Sequence, residues 1–249
     1  MAGPSDNDDK VSIELKLATF NTRGLKRKIK RFTLLRTLKQ ANMDVICLQE
    51  THALNEFEQR EIYLQWGGLM HHAPGSNRSK GLLTLFSPRF KESDIKEVFK
   101  SERILISSIK MDKELIFIVN VYAPCENGDK IEFLQFLSNT LSHYIDNEGL
   151  SKTICAGDFN IAVADLDIVL GLPHNKEIRN SLVNFLQRFN FTDCWRLLHP
   201  TEKAYTWSKS NPLSARRLDY VFAGESLCGA VHDSEIQTIG FSDHRLVVS

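Results

Sequence analysis

Strand-like and helix-like apolar runs alternate along this chain, which restricts it to folds in which helices cover mixed sheets. The strand-like runs are ELKLATF (14–20), DVICLQET (44–51), GLLTLFS (81–87), RILISSIKM (103–111), ELIFIVNVY (114–122), KTICAGD (152–158) and RLDYVFA (217–223). Between them, helical spacing relates Phe32, Leu35 and Leu38 in residues 30–40 and Ile131, Leu134, Leu137, Leu141 and Ile145 in 130–145. The same spacing relates Leu182, Phe185, Leu186 and Phe189 in 180–189. Asp129 is placed to cap the second of these helices. The segment MDKE (111–114) reads as a hairpin, so the sheet is not purely parallel and the class is α/β or α+β. No repeat or Pro/Gly-rich linker divides the chain, which predicts a single domain over 11–249. Residues 1–10, acidic and polar, read as a disordered leader or cloning remnant.

Composition narrows the function classes. With 249 residues, 42% of them hydrophobic, the chain can bury a full core without a disulfide or metal to hold it. Its 31 Lys and Arg balance 31 Asp and Glu, so a nucleic-acid surface must be local rather than global. The five cysteines, Cys47, Cys125, Cys155, Cys194 and Cys228, lack CxxC spacing and point to a reducing compartment. No run approaches the roughly 20 apolar residues that span a bilayer, so no membrane partner is expected.

Several strand-like runs end in polar residues that a core does not need. LATF ends at Asn21, VICLQ at Glu50, FIVNV at Tyr122, and ICAG at Asp158 followed by Asn160. RL leads into Asp219, and IGF leads into Ser242, Asp243 and His244. Singly, an Asp or Asn after a strand most often closes a turn, and a lone Tyr or His most often packs. Together, at the ends of rigid strands, they can converge on one crevice. Hard oxygen donors such as Glu50 and the Asn21 amide suit Mg²⁺ or Mn²⁺ better than zinc, and such an ion pairs naturally with phosphate. Phosphodiester hydrolysis needs an in-line water, a group to orient or deprotonate it, and partners for the developing charge. Asp158, Asn160, Tyr122 and His244 are of the right types. A GxSxG elbow and a GxxxxGK[ST] phosphate loop are both missing, which disfavours serine hydrolases and P-loop NTPases.

The series LATFNTRG (17–24), DVICLQETH (44–52), NVYAP (120–124), GDFN (157–160), RLDY (217–220) and SDH (242–244) resembles the endonuclease/exonuclease/phosphatase superfamily. Within it, LQETH, NVYAP, GDFN, the YTW before RLDY and the terminal SDH are most similar to the endonuclease domains of LINE-type (non-LTR) retrotransposons. The resemblance implies a four-layer α/β sandwich, two mixed β-sheets packed face to face with helices outside, and a site at one edge of the paired sheets. It implies Glu50 as metal ligand with Asn21 beside it and Asp243 supporting the metal or its waters. Asp158 would orient and deprotonate the attacking water, Asn160 would position it, and Tyr122 would bind the phosphate. Asp219 would hold the His244 imidazole against the phosphate, with either Asp158 or His244 as the base. Asp167 matches a supporting family carboxylate, whereas Asp165 reads as a turn residue. Two departures stand out: SARRLD, with Arg216 and Arg217 adjacent, and Cys125 where relatives often carry Asn.

A local DNA surface has two candidate sources. RGLKRKIKR (23–31) follows Asn21 directly and includes Arg23 and Lys26. In KAYTWSKSNPLSARR (203–217), Tyr205, Trp207, Lys209, Arg216 and Arg217 surround Pro212, and the resemblance implies a hairpin that enters a DNA groove. The competing reading packs Tyr205 and Trp207 in the core.

The expectation is therefore a Mg²⁺-dependent (or Mn²⁺-dependent) endonuclease that nicks one strand of double-stranded DNA, leaving a 3′-hydroxyl to prime reverse transcription. Its partner would be a downstream reverse transcriptase, the chain being an excised, monomeric domain of a larger polyprotein made in the cytoplasm and acting in the nucleus. The alternatives are an exonuclease III-like AP endonuclease, another phosphoesterase of the superfamily, or a DNA-binding module with a dead site.

Overall fold

Side-chain alternation along the strands decides the layers. In the computed structural model, which describes residues 14–169, 175–209 and 214–249, two six-stranded mixed sheets face each other. The expected leader (1–10) and Pro212 lie outside the described residues.

One sheet contains β1 (Leu17–Asn21), β2 (Val45–Gln49), β3 (Met70–Ala73), β4 (Leu82–Phe86), β13 (Glu235–Gln237) and β14 (Leu246–Val248), in the order β13-β14-β1-β2-β4-β3. The other contains β5 (Ile95–Lys100), β6 (Ile104–Met111), β7 (Glu114–Tyr122), β8 (Thr153–Asp158), β9 (Thr192–Asp193) and β12 (Asp219–Ala223), in the order β5-β6-β7-β8-β12-β9. Each sheet has one parallel pair, β1 with β2 and β7 with β8, among antiparallel neighbours. A short separate ribbon pairs β10 (Trp207–Ser208) with β11 (Ala215–Arg216). The MDKE hairpin forms as expected, Met111 opposite Glu114, with Asp112 at φ +52° in the tight turn.

Within β2, Val45 and Cys47 point between the sheets, while Ile46 and Leu48 point outward. The inward set meets Ile109, Ile118, Ala156 and Val221 of the opposite sheet. The outward set packs under α1 (Lys28–Gln40) and α2 (Glu56–Trp66). On the other side, Val119, Cys155 and Phe222 pack under α3 (Asn127–Tyr144) and α5 (Lys176–Arg188). Short helices α4 (Asn147–Ser151), α6 (Cys194–Leu198) and α7 (Glu225–Cys228) complete the connections. This is the four-layer sandwich expected above.

Three local expectations are corrected. Phe32 is 39% exposed; α1 instead buries Arg31 with Leu34, Leu35 and Leu38. The Arg31 guanidinium donates to the Leu25 carbonyl at 2.9 Å and to Glu61 Oε2 at 2.5 Å, so the α1–α2 crossing is partly an ion-pair contact. Asp129 does not cap α3, because the helix begins earlier, with Glu126 at the N-cap and no side-chain cap bond. Finally, α2 stands where no helix was expected.

Between the sheets the core turns polar near one edge. Gln49 Nε2 donates to Asn120 Oδ1 at 2.8 Å and to Thr19 Oγ1 at 2.9 Å, all buried. In a low-dielectric interior these bonds fix how the two sheets register. The strand ends just beyond them carry the polar residues singled out from sequence.

Candidate active site

Strand register assembles half of the site. Tyr122 on β7 lies opposite Asp158 on β8, which lies opposite Asp219 on β12. Gly157 makes this approach possible: its φ is +149°, and a Cβ there would sit 2.0 Å from the Val121 carbonyl oxygen. Asp158 is 1% exposed, and its Oδ1 accepts the Asn160 N–H at 2.9 Å. Asn160, at φ +52°, donates its side-chain amide to the Ala123 carbonyl at 2.9 Å, which locks the turn after β8.

The facing sheet supplies the rest. Asn21 ends β1 opposite Gln49, and Glu50 follows at φ +49°, a conformation disfavoured for this residue type. Asn21 Nδ2 donates to Asp158 Oδ2 at 2.9 Å and to Glu50 Oε1 at 3.0 Å, and Tyr122 donates its hydroxyl to the same Glu50 oxygen at 2.8 Å. The side-chain Oδ1 of Asn21 accepts the Arg23 N–H at 3.0 Å. Asn21 thus spaces two carboxylates, and its Oδ1 bonds its own chain at Arg23.

His244 closes the cluster. Its Nδ1 lies 2.8 Å from Asp219 Oδ2, and its Nε2 lies 3.9 Å from Asp158 Oδ2. Burial alone would lower its pKa, but the Asp219 and Asp158 carboxylates raise it to about 9. Asp158 is pushed up to about 7, first by burial and then by Asp219. Burial, with Glu50 close by, pushes the Tyr122 phenol well above its usual range, so it remains a hydrogen-bond donor.

Asp243 and the β10–β11 ribbon join the same edge. Asp243 Oδ2 receives Trp207 Nε1 at 2.9 Å and Arg23 Nη1 at 2.8 Å. Thr206, buried at the ribbon base, accepts the N–H groups of both Leu218 and Asp219. A cavity of about 700 Å³ opens over this arrangement, lined by Glu50, Asp158, Asn160 and His244 with Arg23, Lys130, Lys209 and Arg216 among its walls.

The sequence pattern of the Endonuclease/Exonuclease/phosphatase family matches residues 18–244. The chain belongs to this family. It is an enzyme of the phosphoesterase kind, in a family that is generally divalent-metal-dependent. A Xenopus laevis relative, the Transposon TX1 uncharacterized 149 kDa protein, is 27% identical over 94% of this chain, which spans only 18% of that protein's length. An exodeoxyribonuclease of Bacillus subtilis is 24% identical over 92% of this chain and 96% of its own. Among solved structures, an AP endonuclease from Archaeoglobus fulgidus matches with a TM-score of 0.77 at 21% identity, covering 94% of this chain and 98% of that one. The endonuclease domain of TRAS1, a telomere-specific non-LTR retrotransposon, matches at 0.68 and 13% identity over 94% of this chain and 97% of that one, a likeness of fold.

The phosphoesterase site has donors that fit a hard divalent ion. Glu50 Oε2 accepts no hydrogen bond among the described residues. His52 Nε2, 3.9 Å away, is buried without a partner there. A hydrated Mg²⁺ or Mn²⁺ would satisfy both groups. The ligand atoms of Asp158, Asp219 and His244 also lie within 4.8 Å of one another, but Asp219 is committed to the imidazole, which leaves Glu50 the better ligand.

Not every expected residue lies at the phosphoesterase site. Arg217 is 2% exposed and bonded to Asp167 and Asp193, with its guanidinium over the Tyr220 and Trp195 rings. It is therefore not available to DNA, a correction whose cause is strand alternation: Arg216 faces the cavity and its neighbour faces inward. Asp167 is wholly buried beneath Arg217 and Arg196, whose guanidinium groups it accepts from. Asp165 is exposed and paired with Arg179. Tyr205 is half-buried, Lys209 exposed, and Lys26 bonds Asn77 Oδ1 at 2.9 Å. Two residues went unnoticed in the sequence. Lys30 donates to the Thr22 carbonyl near Glu50 and Asp243, and Thr206 clamps Asp219; the YTW motif signalled only the second.

Proposed function

We propose that this protein is a divalent-metal-dependent endonuclease that nicks one strand of double-stranded DNA and leaves a 3′-hydroxyl for target-primed reverse transcription. The observation that carries the reading is the closed cluster in which Asn21 joins Glu50 to Asp158 while His244 bridges Asp158 and Asp219. The likeness to a transposon protein, of which this chain spans a small part, supports the priming role and a reverse transcriptase elsewhere in the same polyprotein. Action in the nucleus follows from that role.

Asp158, ionised above about pH 7, takes the proton of the attacking water, which the Asn160 side positions. Asp219 orients the imidazole so that Nε2 of protonated His244 meets a phosphate oxygen and stabilises the developing charge. Tyr122 donates its hydroxyl from the opposite flank. Glu50, with Asp243 nearby, would hold a divalent ion, which would supply positive charge against that developing on the pentacoordinate phosphorus. Arg23, Lys209 and Arg216 would meet neighbouring phosphates.

Supercoiled plasmid tests this reading. Mg²⁺-dependent conversion to nicked circle, stopped by EDTA and by Asp158→Ala, with ends that a DNA polymerase can extend, is the expected outcome. Full-length likeness to a bacterial exodeoxyribonuclease favours one alternative, a repair nuclease. Cleavage of an abasic oligonucleotide while plasmid stays intact would select that reading.

A further inference from the structure

Among the described residues, three buried cationic side chains are nearly inaccessible, and one is placed unlike the others. Arg31 faces Glu58 and Glu61, and Arg217 faces Asp167 and Asp193, so each guanidinium has two carboxylates. Lys130 is 2% exposed and, among the described residues, makes no salt bridge and has one hydrogen-bond acceptor for its Nζ, Asn127 Oδ1 at 3.0 Å. An ammonium carries three donors, and burying it without a counter-charge is costly unless something else meets it. Its burial does not remove it from the cavity: Lys130 lines the opening together with Asp158 (1% exposed) and His244 (7%), which are equally enclosed.

The surroundings of Lys130 suit an anion. It lies in the first turn of α3, an 18-residue helix whose N-terminus has no side-chain cap bond, and Asn127 on the same face also lines the cavity. Arg216 is a further wall of this end. The negative groups close to the amine are Asp158 and the Glu126 carboxylate at the N-cap, and among the described residues neither forms an ion pair with it; burial keeps the Cys125 thiol protonated. Asp129, in the same turn, is exposed.

We propose that Lys130, anchored by Asn127 at the start of α3, contacts a backbone phosphate of the strand being cut, next to the phosphate that is attacked. The inference rests on the DNA endonuclease reading and adds a strand-positioning contact to it. A phosphate seated there would receive two free ammonium hydrogens and the positive end of α3, and would hold the scissile bond in line with Asp158.

The test measures binding of the whole chain to a labelled duplex in EDTA over a range of KCl concentrations, followed by nicking in Mg²⁺. Lys130→Met, whose unbranched apolar stem fills the same space, is expected to fold and to bind about ten- to a hundredfold more weakly. Its salt slope should be shallower by about 0.9, the loss of one phosphate contact, and Lys130→Arg should restore most of that slope. A methylphosphonate next to the cut phosphate should weaken wild type and leave Lys130→Met unchanged. Wild-type nicking with an unaltered slope in a folded Lys130→Met variant would overturn the Lys130 contact alone. A wild-type chain that neither binds duplex nor nicks plasmid would overturn the endonuclease reading and this contact with it.

Discussion

Asn21 and Asp158 stand on different sheets, 137 residues apart in sequence, and are joined by a 2.9 Å hydrogen bond from amide to carboxylate. Because the same amide also reaches Glu50, it sets the separation between the expected base and the expected metal ligand. Asn21→Ala should leave two carboxylates facing each other without that donor. Nicking should fall by about 10²-fold, on the scale of losing one preorganised donor, while the thermal midpoint drops only modestly. Asn21→Asp, which adds a third carboxylate, should be worse in both measurements.

The cluster also sets a pH window. Asp158 at about 7 and His244 at about 9 both lie above their ordinary values of 3.8 and 6.5. Activity that needs ionised Asp158 and protonated His244 should rise through about pH 7 and fall through about pH 9. Bound divalent ion should move the acid limb downward. A profile that climbs steadily past pH 10 would sink this assignment.

The same values carry a stability sign. Each group binds its proton more tightly folded than unfolded, so the protonated forms stabilise the fold. For His244 that contribution is complete below pH 6.5 and is lost as pH rises through about 9; for Asp158 it is lost through about 7. The melting temperature of EDTA-treated protein should therefore decline from pH 3.8 to about 9, the lower part from Asp158 and the upper from His244, and His244→Ala should flatten the upper part.

Arg217 and Arg216 should separate cleanly on mutation. Arg217→Met leaves Asp167 and Asp193 without their shared guanidinium and should cost about 3–5 kcal/mol of stability, as breaking a buried ion pair does. Urea unfolding measures that loss. Arg216→Ala should instead weaken duplex binding in a salt-dependent way, with a smaller loss in unfolding than Arg217→Met.

Gly157→Ala should lose stability and activity together. Its Cβ has no room beside the Val121 carbonyl, so β7 and β8 must part at the Tyr122–Asp158 row. Plasmid nicking and a thermal melt on the same preparation check both consequences.

The convergence of the polar cluster was legible because strand ends are rigid and so many polar residues ending apolar runs are hard to explain one by one as turns. Arg217 was misread because sequence alternation places adjacent residues on opposite faces without saying which face is buried. Its partners, Asp167 and Asp193, come from distant segments. Helix α2 was missed because EFEQREIYLQW buries only Ile62 and Trp66 and packs partly through Glu58 and Glu61 to Arg31. The capping box from Asn55 to Glu58 was the available signal. Lys130 gave no signal, since a lysine in a helical run ordinarily faces water.

The pairing of β14 with β1 decides when the polar cluster is complete. Asn21 is made well before His244, and the strand after His244 docks against the strand that ends at Asn21. A ribosome-bound chain short of that point holds Glu50 and Asp158 but no imidazole. On the endonuclease reading, a chain truncated before His244 should therefore fail to nick plasmid even where both sheets have formed.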